Sequence, residues 1–305
     1  MTVGEPPVVW SLSPADVRAG WRALWWSAGT DGKLAVMLVQ ERYLSREKYP
    51  RGWIGWRVRR PFDAELVVVS GRGERRTPVL GIDIWPSHLA LLPESRFLLV
   101  SGRTHRDGEG AWRNNAFVYS PEGRPEGAFC VGDDIPALVT DRRGGIWTAY
   151  GDEGIYGEHP ETAAGLAGWS IDGAATWAPR GRLPVWPLEG CTAATEGESV
   201  WLVWYGHEGT FLSRITPATG EVTSYRSPVR DPDGFAVRGN RAVLTSREHY
   251  EPTVTVTRVE LADGGCVVTG EERVGVPGRV VLRCGQGRDG TLWLRAGDSW
   301  VRIEA

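Results

Sequence analysis

Two stretches of this 305-residue chain place acid–base side chains at the same point behind a Tyr-Gly pair: Tyr150-Gly151-Asp152-Glu153-Gly154 and Tyr205-Gly206-His207-Glu208-Gly209. An imidazole beside a carboxylate is the pairing that general acid–base chemistry uses, one group moving the proton and the other orienting it. If the chain is an enzyme, His207, Glu208, Asp152 and Glu153 are its catalytic candidates, and their matching positions predict that the two pairs are neighbours. Further polar residues gather in comparable loops: Arg103 with His105, Arg247 with Glu248 and His249, and the acids Asp83, Asp133, Asp134, Glu189, Asp231 and Asp233. The paired N–H donors of Arg103 and Arg247 suit an anionic group. Converging carboxylates suit a hard cation such as Ca²⁺, which takes about six to eight oxygen ligands. Trp204 lies near a loop end and is a candidate pocket wall, and Trp53 and Trp56 in LSREKYPRGWIGW could form a lid or a partner patch. Asp at strand ends also caps turns, the structural reading that stands beside each of these acids.

Other chemistries lack their motifs. There is no Walker loop, no G-x-G-x-x-G between a strand and a helix, no H-E-x-x-H and no G-x-S-x-G elbow, which removes nucleotide cofactors, zinc peptidase chemistry and the α/β-hydrolase mechanism. A formal charge of -3 supplies no basic field for a polyphosphate backbone, so nucleic acid is not an expected partner. No apolar run reaches the roughly 20 residues of a membrane span, and the start shows no cationic, then apolar, secretory pattern. The expectation is a cytoplasmic protein. Cys130, Cys191, Cys266 and Cys284 form no C-x-x-C pair and read as buried thiols.

The loops that carry the chemistry must be positioned by strands. A composition with 40 Gly, 20 Pro and 16 Trp but only two Met predicts many short strands joined by tight turns. One unit, a turn followed by an apolar strand, recurs six times: DGKLAVMLV, ESRFLLVSG, RRGGIWTAYG, GESVWLVWYG, RGNRAVLTSR and RDGTLWLRAG. The second strand residues, Ala35, Leu98, Trp147, Trp201, Val243 and Trp293, are about 52 residues apart on average. Within a unit, apolar alternation and turns such as Asp172-Gly173 and Asp263-Gly264 predict four strands. Four-stranded units that cannot bury their faces alone predict a β-propeller, in which neighbouring blades cover one another.

GGIWTAYGDEGIYG, SVWLVWYGHEG and DGTLWLRAG resemble repeats of the bacterial NHL, YVTN and WD40-like propeller group, though no blade ends in the Trp-Asp of WD40 repeats. WSIDGAATW resembles the sialidase Asp-box at Ser170, Asp172 and Trp177, with Ala174 where that box has glycine, and in a single copy. The group holds enzymes and scaffolds alike, so the resemblance implies a fold and not an activity.

The expectation is therefore an all-β, six-bladed β-propeller with four-stranded blades, divided at about 15–80, 81–132, 133–181, 182–228, 229–277 and 278–305. The segment 6–12 supplies the missing strand of the last blade and closes the ring, since an open ring would leave strand edges unpaired. Second-to-third-strand loops and blade-entry loops meet at one end of such a ring. There they would bind a small molecule or a protein; the alternative is a hydrolase or lyase working through the same face. The residues call for no organic cofactor and leave Ca²⁺ in the central channel as the one metal expectation.

Overall fold

A computed structural model describes residues 5–46, 55–248 and 251–305, so Trp53 and His249 lie outside the described residues. The chain is all-β apart from a few short helical turns, chiefly α1 (Pro14–Arg18) and α2 (Asp152–Ile155). Among the described residues no helix is long and apolar enough to cross a membrane.

The strand β1 (Val8–Ser11) precedes a first sheet of β2 (Trp21–Ala28), β3 (Leu34–Gln40), β6 (Phe62–Ser70) and β7 (Gly73–Ile82), with a side hairpin of β4 (Leu44–Arg46) and β5 (Trp56–Val58). The second sheet runs β8 (His88–Leu91), β9 (Phe97–Val100), β10 (Ala116–Tyr119) and β11 (Pro125–Phe129). The third runs β12 (Ala137–Thr140), β13 (Ile146–Ala149), β14 (Leu166–Trp169) and β15 (Ala175–Trp177). The remaining strands belong to one twelve-stranded sheet made of three antiparallel runs of four. These are β16 (Glu189–Glu196) to β17 (Ser199–Gly206), β18 (Gly209–Thr216) and β19 (Glu221–Arg226); then β20 (Gly234–Arg238) to β21 (Arg241–Arg247), β22 (Thr253–Ala262) and β23 (Gly265–Gly275); then β24 (Val280–Arg288), β25 (Thr291–Ala296), β26 (Ser299–Glu304) and β1. Two short parallel contacts, β16 with β24 and β19 with β23, join the runs.

Local chemistry explains the turns. Asp141 accepts from the amides of Arg143 and Gly145 and from the indole of Trp147, fixing the β12–β13 turn. Gly173 adopts φ +82° in the β14–β15 turn, and a Cβ there would lie 2.4 Å from Phe129 Cβ, so only glycine fits. Side chains of one sheet fill the face of the next. Trp201, 1% exposed, packs 5.8 Å from Tyr225 in its own run and 5.7 Å from Phe235 in the following one. Trp147 and Trp293 are equally internal, at 4% and 3%.

The first strands of successive sets pack against one another, β2 on β8, β8 on β12, β12 on β16, β16 on β20 and β20 on β24, and β24 returns to β2. Within this set of contacts β24 packs closely on its neighbours. A Cβ on Gly287 would lie 2.3 Å from Phe235 O and 2.6 Å from Ala194 Cβ, and one on Gly285 would lie 2.6 Å from Gly234 Cα. Two glycines thus bring β24 against β16 and β20. Its alternate residues point the other way: Gln286 Oε1 accepts from Ala28 N at 2.8 Å, while Arg288 donates to Ala28 O at 2.7 Å, Thr140 O at 2.6 Å and Thr195 Oγ1 at 3.0 Å. Arg288 is fully buried, and desolvation lowers its pKa to about 10.

Candidate functional site

The end of the molecule where the first strands begin gathers most of the candidates, in two groups. The group nearer the axis is built on Asp233, which is 2% exposed and immediately precedes β20. Its Oδ1 accepts from Arg283 N at 2.9 Å and from the Arg247 guanidinium, and its Oδ2 from Arg247 N at 2.9 Å. Burial raises the Asp233 carboxyl, with the Arg247 and Arg283 donors opposing. Arg283 lies in the bulge that separates Val280 from Gly285 in β24 and takes φ +54°, a conformation that L side chains adopt at a cost. Its guanidinium pairs with Glu189 and its Nε is buried with no partner. Glu189 also accepts from the Tyr205 hydroxyl at 2.9 Å, and burial together with that carboxylate pushes Tyr205 up to about 12. His88 Nε2 donates to Ile135 O at 2.6 Å, and burial lowers its pKa, as does the Arg283 charge. Asp231 has φ +46° and a buried Oδ1 without a partner.

The second group spans the second and third sheets. Asp133 accepts from Thr104 N at 2.7 Å and from Arg103 at 3.0 and 3.3 Å, and Arg103 also pairs with Glu153. Asp134, at φ +55°, accepts from the amides of Glu153 and Gly154 at 3.1 and 3.4 Å and so ties the entry loop to α2. Burial raises the Asp134 carboxyl, opposed by Arg103.

Several candidates fall elsewhere. The two Tyr-Gly motifs open differently: β17 and β18 join at a tight turn where Gly206 pairs with Gly209, whereas Asp152 begins α2 and a longer excursion. His207 and Glu208 sit exposed at that turn, 3.5 Å from each other, and among the described residues neither bonds to Asp152 or Glu153. No hydrogen bond or ion pair thus joins the two pairs among the described residues. Trp204 is 0% exposed, bonds Ser213 Oγ at 2.8 Å and stacks on Phe211, so it is a core residue and not a pocket wall. Asp83 is exposed, 3.9 Å from Arg60; His105 is exposed; Glu248 accepts from Thr255 Oγ1 at 3.0 Å.

The expected Ca²⁺ finds no fitting ligand set. Among the described residues no three His, Cys, Asp or Glu side chains converge. Asp133, Asp233 and Glu189 are each held by an arginine. Cavities of about 290 and 510 Å³ lie at the opposite end of the strands, lined by turn residues such as Asp31, Glu94, Asp141 and Pro217. Of their charged groups, Asp31 is paired by Lys33 and Asp141 is held by its own turn.

The sequence reading missed Arg283, Tyr205 and His88. The glycines of RCGQGR were the available signal, because alternate glycines on a strand mark a close backbone approach. Exposed aromatics border the same end: Trp85 (48%), Tyr156 (69%) and Trp186 (56%). Each is three residues from a group named above, His88, Glu153 and Glu189 respectively. The Arg60 guanidinium lies 3.7 Å from the Trp85 ring centroid.

No family model and no curated protein matches the sequence. Among solved structures the chain is similar to U3-55K, at 7% identity and TM-score 0.50, over 94% of this chain and 99% of the other. It is also similar to a Thermus thermophilus protein named as a candidate oxidoreductase (glucose dehydrogenase), at 14% identity and TM-score 0.49, over 92% and 96%. A Bacteroides fragilis protein named as a candidate 6-phosphogluconolactonase gives 14% identity and TM-score 0.47, over 92% and 80%. The likeness to U3-55K is one of fold alone, and the fold of this chain is all-β.

Proposed function

We propose that the chain is a six-bladed β-propeller, closed by β1 beside β26, that binds a neutral polyhydroxylated small molecule such as a sugar at the end of the axis where Arg283 and Glu189 meet. Support for the ring comes from six antiparallel sets of four strands whose first strands contact in succession and return to β2. The ligand class follows from how the charges are spent. Arg103, Arg247 and Arg283 are each engaged by a carboxylate, so none of these three is a free cationic clamp for a phosphate or a nucleotide. Among the described residues the carboxylates do not converge into a cation cage. Alternating guanidinium donors and carboxylate acceptors match vicinal hydroxyls, which both donate and accept. Trp186 and Tyr156, three residues in sequence from Glu189 and Glu153, offer exposed apolar ring faces of the kind a pyranose can stack on.

One observation carries this reading. Arg283 is held in the left-handed region with a buried, unpartnered Nε beside the Glu189–Tyr205 pair, and strained, incompletely bonded residues concentrate at binding sites.

The test is ligand-dependent melting with a panel of mono- and disaccharides and cyclic polyols, set against inorganic phosphate and Ca²⁺. A ligand at a hundred times its Kd stabilises the native state by about 2.7 kcal/mol. Arg283→Gly relieves the φ +54° backbone while deleting the guanidinium; it should fold normally and bind at least about tenfold more weakly. Absence of any shift with the panel, or unchanged binding in Arg283→Gly, overturns the proposal. A second reading, hydrolase or lyase chemistry on the bound ligand, draws on Asp134, a carboxyl that burial holds closer to its proton-donating form. Consumption of a panel member during the same titration would favour it.

A further inference from the structure

Away from the Arg283 group, three side chains that the binding reading does not use form a chemical series. Cys130 directly follows β11, and its Sγ lies 3.4 Å from His159 Nε2. His159 Nδ1 lies 3.1 Å from Glu161 Oε2. The two latter residues come from the excursion between β13 and β14, so the series crosses from the second sheet to the third. Nucleophile, base and a carboxylate beyond the base is the order in which thiol and hydroxyl nucleophiles are activated.

The ring is held in place. His159 is 4% exposed and lies between Trp112, at 4.7 Å, and Trp169, at 6.3 Å, while Thr162 Oγ1 donates to His159 O at 2.9 Å and to Gly154 O at 2.6 Å. Glu161 is close to Nδ1 but not in hydrogen-bond alignment. Its charge favours the tautomer with the proton on Nδ1, which leaves the Nε2 lone pair facing the thiol. The Gly132 amide also faces the sulfur and favours its anionic form.

The other charged neighbours are Asp133 and Glu161 around the thiol, Asp133 and Arg106 around the imidazole, and Tyr150, whose hydroxyl bonds Val131 O. Burial raises the thiol and lowers the imidazole. Both therefore rest neutral, as a thiol facing a free base and not as a preformed thiolate–imidazolium pair.

We propose that Cys130 is a base-activated nucleophile that takes a carbon electrophile, with His159 as its general base and Glu161 as the positioning residue. In the step, sulfur attacks carbon as its proton passes to His159 Nε2. The S–C bond forms, the bond from carbon to the leaving group breaks, and that group departs with the electron pair. Water then takes the proton from the imidazolium.

The chain contains its own reference. Cys266 is also half-buried, has no imidazole partner among the described residues, and is pushed up to about 11 by burial. Cys191 and Cys284 are buried and report on the integrity of the fold. The experiment treats the full chain with iodoacetamide between pH 5.5 and 8.5 and measures the alkylation rate of each cysteine by peptide mass spectrometry.

Cys130 should outpace Cys266 by at least about tenfold at pH 7. Its rate should level off once His159 is neutral, below the usual imidazole range, whereas Cys266 should climb about tenfold per pH unit as an ordinary thiol does. His159→Gln should remove the advantage and the plateau, and Glu161→Gln should lower the rate severalfold, with Cys266 unchanged in both. If His159→Gln exposes Cys191 or Cys284, the wild-type pH profile and Glu161→Gln decide. Equal rates at Cys130 and Cys266, a Cys130 rate that rises tenfold per pH unit throughout, or variants that leave it unchanged overturn the proposal.

Discussion

Burial sets the resting protonation of the two internal imidazoles, and this has a measurable consequence for stability. His88 and His159 both hold their protons more weakly in the folded chain than in solution, first because burial disfavours the charged ring. Below the ordinary imidazole value of 6.5 the unfolded chain takes up protons that the native one resists. Stability therefore falls as pH drops from about 6.5, with a limiting slope of about 1.4 kcal/mol per pH unit for each histidine. The paired Asp16, held low chiefly by Arg76, adds its loss only later, below the carboxylate value of 3.8. We expect the melting temperature to decline between pH 7 and 5, and the decline to shrink in His88→Gln, whose amide can still donate to Ile135 O. An unchanged slope in that variant would show that His88 does not titrate in this window.

At the scale of the element, β24 decides what kind of site exists. Its glycines let it press against β16 and β20 while Gln286 and Arg288 reach β2 and β12. The bulge at Arg283 then turns that side chain towards Glu189. Gly287→Ala would force a Cβ to 2.3 Å from a backbone carbonyl, so the strand must shift; Gly270→Ala meets nothing within 4 Å. We expect the first to cost more than about 3 kcal/mol in chemical denaturation and the second less than about 1 kcal/mol. Comparable losses would mean that the axis is loosely packed. These elements also show what was legible beforehand. The Asp141 turn, the Asp172-Gly173 hairpin and the Trp147, Trp201 and Trp293 positions could be read because turn chemistry and strand alternation act over a few residues. The union of Arg283 with Glu189, of Arg247 with Asp233 and of Cys130 with His159 depends on strand register and loop path. Adjacent sequence carries little of that information: of the two matched Tyr-Gly motifs, one closes a tight turn and the other opens a helix.

For the whole molecule the deciding contact joins the two ends of the chain. Val8, Trp10 and Ser11 pair with Val301, Trp300 and Ser299, and Trp10 also reaches Glu74 of the first sheet through its indole, at 2.7 Å. Trp10 packs at 5.3 Å and a tilted angle against Trp300, which is fully buried and lies 6.3 Å from Trp26 in an edge-on arrangement. The last sheet and the first are thus linked by a strand that neither would hold alone. Removing residues 1–12 would open the edge of β26, expose Trp300 and Trp26 and take the Trp10 indole from Glu74. Loss of one buried tryptophan alone costs about 3 to 5 kcal/mol, a large share of the stability of an ordinary domain. We expect the truncated chain to melt well below the full one and to associate through its open edge. A separately added peptide of residues 1–12 should restore part of the loss, because the strand pairs without needing covalent continuity. A truncated chain with the stability of the full one would mean that β1 decorates the last sheet and that closure, if any, is made by the sheet faces themselves.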